Sequence, residues 1–71
     1  MRIHFFGRLA DSFGRTVEIE APPGSTIAAL RSLLHLNDPL VRACVGEAIV
    51  GDDFAVAPGH DVEFWPPVSG G

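Results

Sequence analysis

The sequence lacks several features whose absence limits what the protein can do. All five basic residues are arginines, so no side chain can accept an isopeptide bond and no lysine-linked chain can be built on this protein. The single cysteine, Cys44, excludes an internal disulfide. No hydrophobic run is long enough to cross a membrane as a helix. Because no apolar leader follows Met1, we expect a cytoplasmic location.

Positive charge is also scarce, since nine acidic residues outweigh five basic ones and the formal net charge is −4. Nucleic acids and anionic membranes attract clustered cations, so neither is expected as a partner. The histidines His4, His35 and His60 do not follow a metal-ligand spacing, and no metal site is expected. What is present is 46% hydrophobic residues in 71 positions. This content suits one small folded domain and is too high for a disordered chain.

The spacing of hydrophobic residues predicts several strands and one main helix. Alternation with a period of two predicts strands over residues 2–6, 16–20, 40–45, 48–50 and 61–65. The helix follows an N-cap at Ser25 or Thr26. Its apolar stripe consists of Ile27, Leu30, Leu33 and Leu34. Asn37-Asp38-Pro39 is predicted to end the helix, because the residue before a proline avoids helical angles and asparagine tolerates a left-handed C-cap. The loop before the second strand has room for one helical turn around residues 9–13.

Two strands, a helix and three further strands are typical of an α+β roll, in which one helix covers one face of a mixed sheet. The alternation that directs Phe5 and Phe64 to the core directs Phe6 and Trp65 to the opposite face. With one helix on one face, these two aromatic side chains are expected to be exposed, as in a partner interface. The alternatives are that the loop over residues 7–14 covers them or that a bulge at the end of a strand reverses the side-chain parity.

The C-terminal residues have the properties of a slender, stiff tail. Pro66-Pro67 fixes φ and favours an extended segment, and Gly70-Gly71 lacks Cβ atoms and fits a channel too narrow for any other residue. We therefore divide the chain into a domain over residues 1–65 and a tail over residues 66–71, which can reach roughly 20 Å. The expected role of this tail is to deliver the α-carboxylate of Gly71 into another protein's active site. The alternative is a frayed terminus without a function.

The tail, together with several internal segments, resembles the small, sulfur-carrying subunit of molybdopterin synthase. The most specific match is the closing run Phe64-Trp65-Pro66-Pro67-Val68-Ser69-Gly70-Gly71. The resemblance extends to Ile3-His4-Phe5-Phe6-Gly7, to Ile49-Val50-Gly51-Asp52-Asp53 and to Pro58-Gly59-His60-Asp61-Val62. Two positions depart from the pattern, since that family usually has asparagine at Gly46 and phenylalanine at Trp65. The resemblance implies a ubiquitin-like β-grasp fold, in agreement with the predicted roll.

The resemblance also implies a chemistry for the tail. An adenylyltransferase similar to ubiquitin-activating enzymes would use ATP to convert the Gly71 carboxylate into an acyl-adenylate, and a persulfide sulfur would then displace AMP to leave a thiocarboxylate. In the large catalytic subunit, this sulfur would attack cyclic pyranopterin monophosphate to build the dithiolene of molybdopterin. The catalytic residues are expected in the large subunit, so this chain would be a non-catalytic sulfur donor in a heterotetramer with two copies of each subunit. No cofactor is expected to bind the chain directly.

Residue by residue, the resemblance places the sulfur on Gly71 and makes the residues before it the segment that threads into the partner, namely Pro66, Pro67, Val68, Ser69 and Gly70. It assigns partner contacts to Phe6, Ile49 and Trp65. The alternation of side chains independently predicts that Phe6 and Trp65 are exposed, whereas Ile49 comes from the resemblance alone. Three alternatives remain. In the first, the chain is a sulfur carrier for thiamin thiazole, cysteine or tRNA thiolation. In the second, it is a ubiquitin-like modifier conjugated through Gly71. In the third, it is an interaction module whose tail has no function.

Overall fold

A computed structural model describes residues 1–67. The predicted threading residues Val68, Ser69 and Gly70 and the predicted sulfur-bearing Gly71 lie outside the described residues. The five strands are β1 (Arg2–Phe5), β2 (Thr16–Glu18), β3 (Arg42–Val45), β4 (Ala48–Val50) and β5 (Val62–Trp65). The two helices are α1 (Arg8–Phe13) and α2 (Ile27–Leu34).

The strands form one mixed sheet in the order β2-β1-β5-β3-β4. The first and last strands, β1 and β5, lie side by side and run parallel, whereas the other neighbouring pairs are antiparallel. This architecture confirms the predicted mixed sheet, and β1 and β2 form an antiparallel hairpin. Because β5 lies at the centre of the sheet, Pro66 and Pro67 follow it between the end of β1 and the start of β3.

One face of the sheet carries the hydrophobic core. The strands contribute Ile3, Phe5, Ala43, Val45, Val62 and Phe64, and α2 contributes Ile27 and Leu30. The short helix α1 covers the edge of the same face, where Phe13 stacks on Phe5 with ring centroids 4.7 Å apart. The loop over residues 7–14 therefore turns toward the core side and leaves the aromatic side chains of the opposite face uncovered. We call that opposite face the open face.

Helix α2 begins as predicted and ends earlier than predicted. The hydroxyl oxygen of Thr26 accepts a hydrogen bond from the backbone N–H of Ala29 at 3.2 Å, which identifies Thr26 as the N-cap. The predicted end at Asn37-Asp38-Pro39 is wrong, because His35 takes the left-handed C-cap conformation with φ 55°. The N–H of Leu36 then donates to the carbonyl of Arg31 at 2.8 Å, so the chain turns off the helix axis soon after Leu34.

Burial of Leu36 explains this early turn. Leu36 is 5% exposed and belongs to the core, whereas Leu33, which the sequence pattern placed in the apolar stripe, is 55% exposed. A hydrophobic residue just past a left-handed C-cap commonly packs back on the last helical turn. The assignment of Leu33 to the buried stripe is therefore wrong, and Leu36 fills that place.

The strands are also shorter than the alternation predicted. Strand β1 ends at Phe5, β2 ends at Glu18, and β3 begins at Arg42. The sequence pattern that predicts a strand extends beyond the last residue that is paired with a neighbouring strand. The pattern alone therefore cannot locate the end of a strand. Among residues 1–67, no helix is both long enough and apolar enough to cross a membrane.

Candidate functional site

The open face carries a stack of two aromatic rings at the point where the tail begins. The parallel register pairs Phe5 with Phe64, so Phe6 and Trp65 lie next to each other on the opposite face. Their ring centroids are 3.9 Å apart and their planes differ by 2°. Trp65 remains 41% exposed, and Phe6 is half-buried. The sequence therefore correctly placed both rings on this face, although Phe6 is less exposed than expected because Trp65 covers it.

Hydrogen bonds on both sides hold this aromatic stack in place. The backbone N–H of Phe6 donates to the carbonyl of Phe64 at 3.3 Å, which continues the β1–β5 pairing beyond the end of β1. The indole Nε1–H of Trp65 donates to Oε1 of Glu63 at 3.1 Å. A fixed pair of rings loses little conformational freedom on binding, so its apolar area contributes more fully to association.

Ile49 lies on the same face, two strands away from the aromatic stack. It pairs with Cys44 across β3 and β4, and Cys44 faces away from the core because its neighbours Ala43 and Val45 are buried. Ile49 is 64% exposed. The three predicted partner-binding residues therefore share the open face, and Cys44 and Arg42 of β3 lie between Ile49 and Trp65.

Cys44 is poorly suited to act as a nucleophile. Burial raises the pKa of the Cys44 thiol, the negative charge of Glu63 raises that pKa further, and the nearby guanidinium of Arg42 lowers it. The net direction is upward, so the neutral thiol predominates at neutral pH, and the thiolate is the reactive form. We therefore regard Cys44 as part of the surface between the apolar residues and not as a nucleophile.

The root of the tail packs closely against a glycine that the sequence analysis did not single out. Gly7 has φ 57° and ψ −140°, a region in which non-glycine residues are strained. A Cβ atom built on Gly7 would lie 2.8 Å from Cγ of Pro66, which is closer than van der Waals contact allows. Gly7 therefore permits Pro66 to rest directly on the turn that follows β1. The pattern Phe6-Gly7 beside Trp65-Pro66 becomes visible only when β1 and β5 are known to be neighbours.

We predict that Gly7→Ala destabilises the protein and displaces the tail root. The backbone strain alone should lower the free energy of unfolding by about 1–3 kcal/mol. Gly14→Ala is the matched control, because Gly14 has φ 89° and a Cβ atom there would meet nothing within 4 Å. Both variants should show reduced stability in chemical denaturation. Only Gly7→Ala should also change the fluorescence emission of Trp65, which is the one tryptophan of the chain. Equal emission in both variants would show that the position of Pro66 does not depend on Gly7.

A hydrogen-bond network around His4 links three segments of the chain on the open face. Its Nε2 donates to Oδ2 of Asp61 at 2.8 Å, and its Nδ1 shares a hydrogen bond with Oγ1 of Thr16 at 3.2 Å. The hydrogen bond with His4 is the main reason why the pKa of Asp61 is lowered, and the charges of His4, Arg2 and the N-terminal amine act in the same direction. This network connects β1, β2 and the segment before β5, and His4 lies two positions before Phe6 on the same face.

The lowered pKa of Asp61 predicts a loss of stability in acid. Because the folded-state pKa lies below the unfolded-state value near 3.8, the stabilisation is present above that value and is lost as the pH falls through the folded-state pKa. Asp61→Asn should therefore reduce the decline of stability as the pH falls below the unfolded-state value near 3.8. Asp53→Asn is the control, since Asp53 makes no ion pair among the described residues. Identical acid-side slopes for Asp61→Asn and the wild type would contradict the His4–Asp61 link.

The described residues contain no group of three or more His, Cys, Asp or Glu side chains that could hold a metal ion. The histidine closest to an acidic partner, His4, is engaged by Asp61 and Thr16.

Comparison with known proteins identifies the class to which this fold belongs. A crystal structure of H. volcanii small archaeal modifier protein 1 is similar, with a TM-score of 0.78, 18% identity, and coverage of 94% of this chain and 95% of that chain. A crystal structure of SAMP1 from Haloferax volcanii gives a TM-score of 0.80 at 21% identity, covering 99% of this chain and 97% of that chain. The fold is therefore a ubiquitin-like β-grasp, as expected. No curated protein sequence matches the chain significantly.

The family follows from the sequence itself. The sequence profile of the ThiS family matches residues 3–71, which is the whole chain except its first two residues. The chain belongs to the ThiS family of ubiquitin-like sulfur carriers, which work together with activating enzymes and partner enzymes. The family match and the structural similarity apply equally to a sulfur carrier for several pathways and to a ubiquitin-like modifier.

Proposed function

We propose that this chain is the sulfur-carrying subunit of molybdopterin synthase and that the Gly71 thiocarboxylate donates the sulfur. The observation that carries the proposal is the rigid, exposed stack of Phe6 and Trp65 directly beside the start of the proline-rich tail. A carrier needs a surface that docks on its partner and a thin terminus that enters the partner's active site. The sequence Pro66-Pro67-Val68-Ser69-Gly70-Gly71 supplies the second part.

The proposed chemistry begins by activating a carboxylate that is otherwise a poor electrophile. The Gly71 carboxylate attacks the α-phosphate of ATP on the adenylyltransferase and releases pyrophosphate. A persulfide sulfur then attacks the acyl carbon and expels AMP, and a thiol reduces the resulting acyl disulfide to the thiocarboxylate. Adenylation changes the leaving group from an oxide to AMP, which is what makes the sulfur attack feasible. ATP is bound by the activating enzyme and not by this chain.

The thiocarboxylate sulfur then acts as the nucleophile in the large catalytic subunit. It forms a C–S bond to a carbon of the cyclic pyranopterin monophosphate as the oxygen substituent on that carbon leaves, and water then hydrolyses the resulting thioester, which returns Gly71 to its carboxylate form and leaves the sulfur on the pterin. The dithiolene contains two sulfur atoms, so two loaded carriers are consumed for each product. This count fits a heterotetramer with two copies of each subunit. The general acids and bases belong to the large subunit, and this chain supplies the nucleophile and the docking surface formed by Phe6, Ile49 and Trp65.

A ubiquitin-like modifier is the second candidate, and the similarity to small archaeal modifier protein 1 favours it. In that case an amine of a target protein, in place of a persulfide, attacks the Gly71 acyl group. The activation step is the same for both functions, so the fold and the diglycine do not separate them. Sulfur delivery to thiamin thiazole, cysteine or tRNA is a related possibility, which the Pro66-Pro67-Val68-Ser69 segment fits less well.

Reconstitution tests the proposal. The thiocarboxylate form of the chain is incubated with the large subunit and the pyranopterin precursor, and the carboxylate form serves as the control. We expect dithiolene formation with the thiocarboxylate form alone, in a ratio of two carriers to one product. An inert thiocarboxylate would reject the molybdopterin pathway in favour of another sulfur acceptor. Higher-mass isopeptide conjugates of the chain in its native cells would instead support the modifier function.

A further inference from the structure

Beside the tail root lies a groove that neither the sequence analysis nor the resemblance included. This tail-root groove has a volume of about 550 Å³ and is lined by Pro39, Leu40, Arg42, Trp65, Pro66 and Pro67. The register of β3 and β5 pairs Arg42 directly with Trp65. The groove therefore continues the aromatic stack sideways, from Phe6 across Trp65 to Arg42.

The groove is apolar apart from a single cation. Leu40 is 64% exposed, Trp65 is 41% exposed, and both line the groove. Arg42 is the one ionisable residue of the lining. Within residues 1–67, Arg42 makes no ion pair, whereas Arg2 pairs with Glu18 and Arg31 pairs with Asp52. In a protein with a net charge of −4, no acidic side chain among residues 1–67 thus neutralises this guanidinium.

The wall of the groove that contains Pro39 and Leu40 is held by Arg31. The Arg31 guanidinium donates to the backbone carbonyls of Asp38 and Val41, and its Nε donates to Oδ1 of Asp52 at 2.8 Å. These bonds fix the segment on both sides of Leu40 to α2 and to the turn after β4. The groove is therefore preformed, and its occupant would not have to order this segment on binding.

We propose that the tail-root groove binds an acidic side chain of the activating enzyme, next to an apolar residue of the same enzyme. The carboxylate would pair with Arg42, and the apolar neighbour would pack on Leu40 and Trp65. Charge complementarity carries the assignment, because an occupant that fills this groove and neutralises Arg42 must be both anionic and apolar. The proposal rests on the proposed function. We choose the activating enzyme as the partner because adenylation is common to the sulfur-carrier and modifier functions. Contact at the tail root would fix the direction in which the tail leaves the domain.

The test measures adenylation of the full chain by the activating enzyme, followed as ATP–pyrophosphate exchange. Arg42→Met should raise the KM for this chain about tenfold and leave kcat unchanged, since it removes one interfacial charge pair remote from the reacting carboxylate. Arg42→Glu should raise the KM further, and Arg42→Lys should give an intermediate KM because lysine keeps the charge and loses the paired N–H groups. The KM of Arg42→Met should also depend less on salt than that of the wild type.

Arg2→Met is the matched control, because it removes the same charge from the open face at the end of β1 remote from the tail. Its KM should stay close to that of the wild type. Equal KM values for Arg42→Met and Arg2→Met would overturn the proposal. A lower KM for Arg42→Met would also overturn it, because it would mean that Arg42 holds the chain's own C-terminal carboxylate and restrains the tail. If the wild type is not adenylated at all, the proposed function fails together with this inference, and that outcome is distinct from a missing Arg42 effect.

Discussion

Deletion of Gly71 should abolish sulfur loading and leave the thermal midpoint unchanged. The deletion moves the terminal carboxylate back by one residue, about 3.3–3.6 Å along an extended chain. A displacement of about 1 Å can already cost about 10²-fold in rate when reacting groups must meet in a fixed geometry, so we expect loading at least about 10²-fold slower. Stability should not change, because the core lies between Ile3 and Phe64.

The complementary variant extends the chain by a few permanent residues beyond Gly71. Gly71 then no longer carries a free carboxylate, although the tail sequence is intact, so loading and cofactor production should both be lost. Thermal denaturation of both variants, measured beside the wild type, separates chemistry from folding. A large fall in the melting temperature of the deletion variant would show that the tail is part of the folded structure. Normal cofactor production by the extended variant would contradict the carrier function.

Replacing Trp65 by alanine should weaken complex formation more than it weakens folding. Truncation of an aromatic anchor at an interface typically costs at least about 2 kcal/mol, or about 30-fold in Kd. Trp65 is 41% exposed in the free domain, so its loss there removes the partial burial of the indole and the stacking with Phe6, and the stacking is worth about 0.5–1.5 kcal/mol beyond the buried area. Binding to the large subunit by titration calorimetry and unfolding by denaturant measure the two effects separately.

Two variants bracket the Trp65 result. Trp65→Phe keeps a ring against Phe6 and should retain most of the affinity. Phe64→Ala removes a fully buried ring one position earlier in β5 and should lower the free energy of unfolding by about 3–5 kcal/mol. If Trp65→Ala destabilises the fold as strongly as Phe64→Ala and leaves the affinity unchanged, Trp65 belongs to the core and the open face is not the docking surface.

The parts of the fold that depend on local pattern could be predicted from the sequence. Alternation in β1 and β5 placed Phe6 and Trp65 on the open face, because a period of two leaves no other choice once Phe5 and Phe64 are buried. The Thr26 cap was also predictable, as one of two hydroxyl residues before an apolar helical stripe. The tail residues that matter most for the proposed chemistry were read from composition and resemblance, and Gly71 lies beyond the described residues.

The parts that depend on strand order could not be predicted in the same way. The contact of Gly7 with Pro66 and the pairing of Arg42 with Trp65 arise because β5 lies between β1 and β3. No local pattern of the sequence specifies that order. The end of α2 was missed for a related reason, since burial of Leu36 decides where the helix stops and the sequence shows an equally apolar Leu33 nearby.

The mass of the intact chain purified from its native cells tests the central claim most directly. We predict a population in which one oxygen of the terminal carboxylate is replaced by one sulfur, located by fragmentation at Gly71. The same exchange should appear when the carboxylate form is incubated with the activating enzyme, ATP and a persulfide donor, and it should be absent without ATP. A chain that carries only an unmodified carboxylate under both conditions would contradict the account.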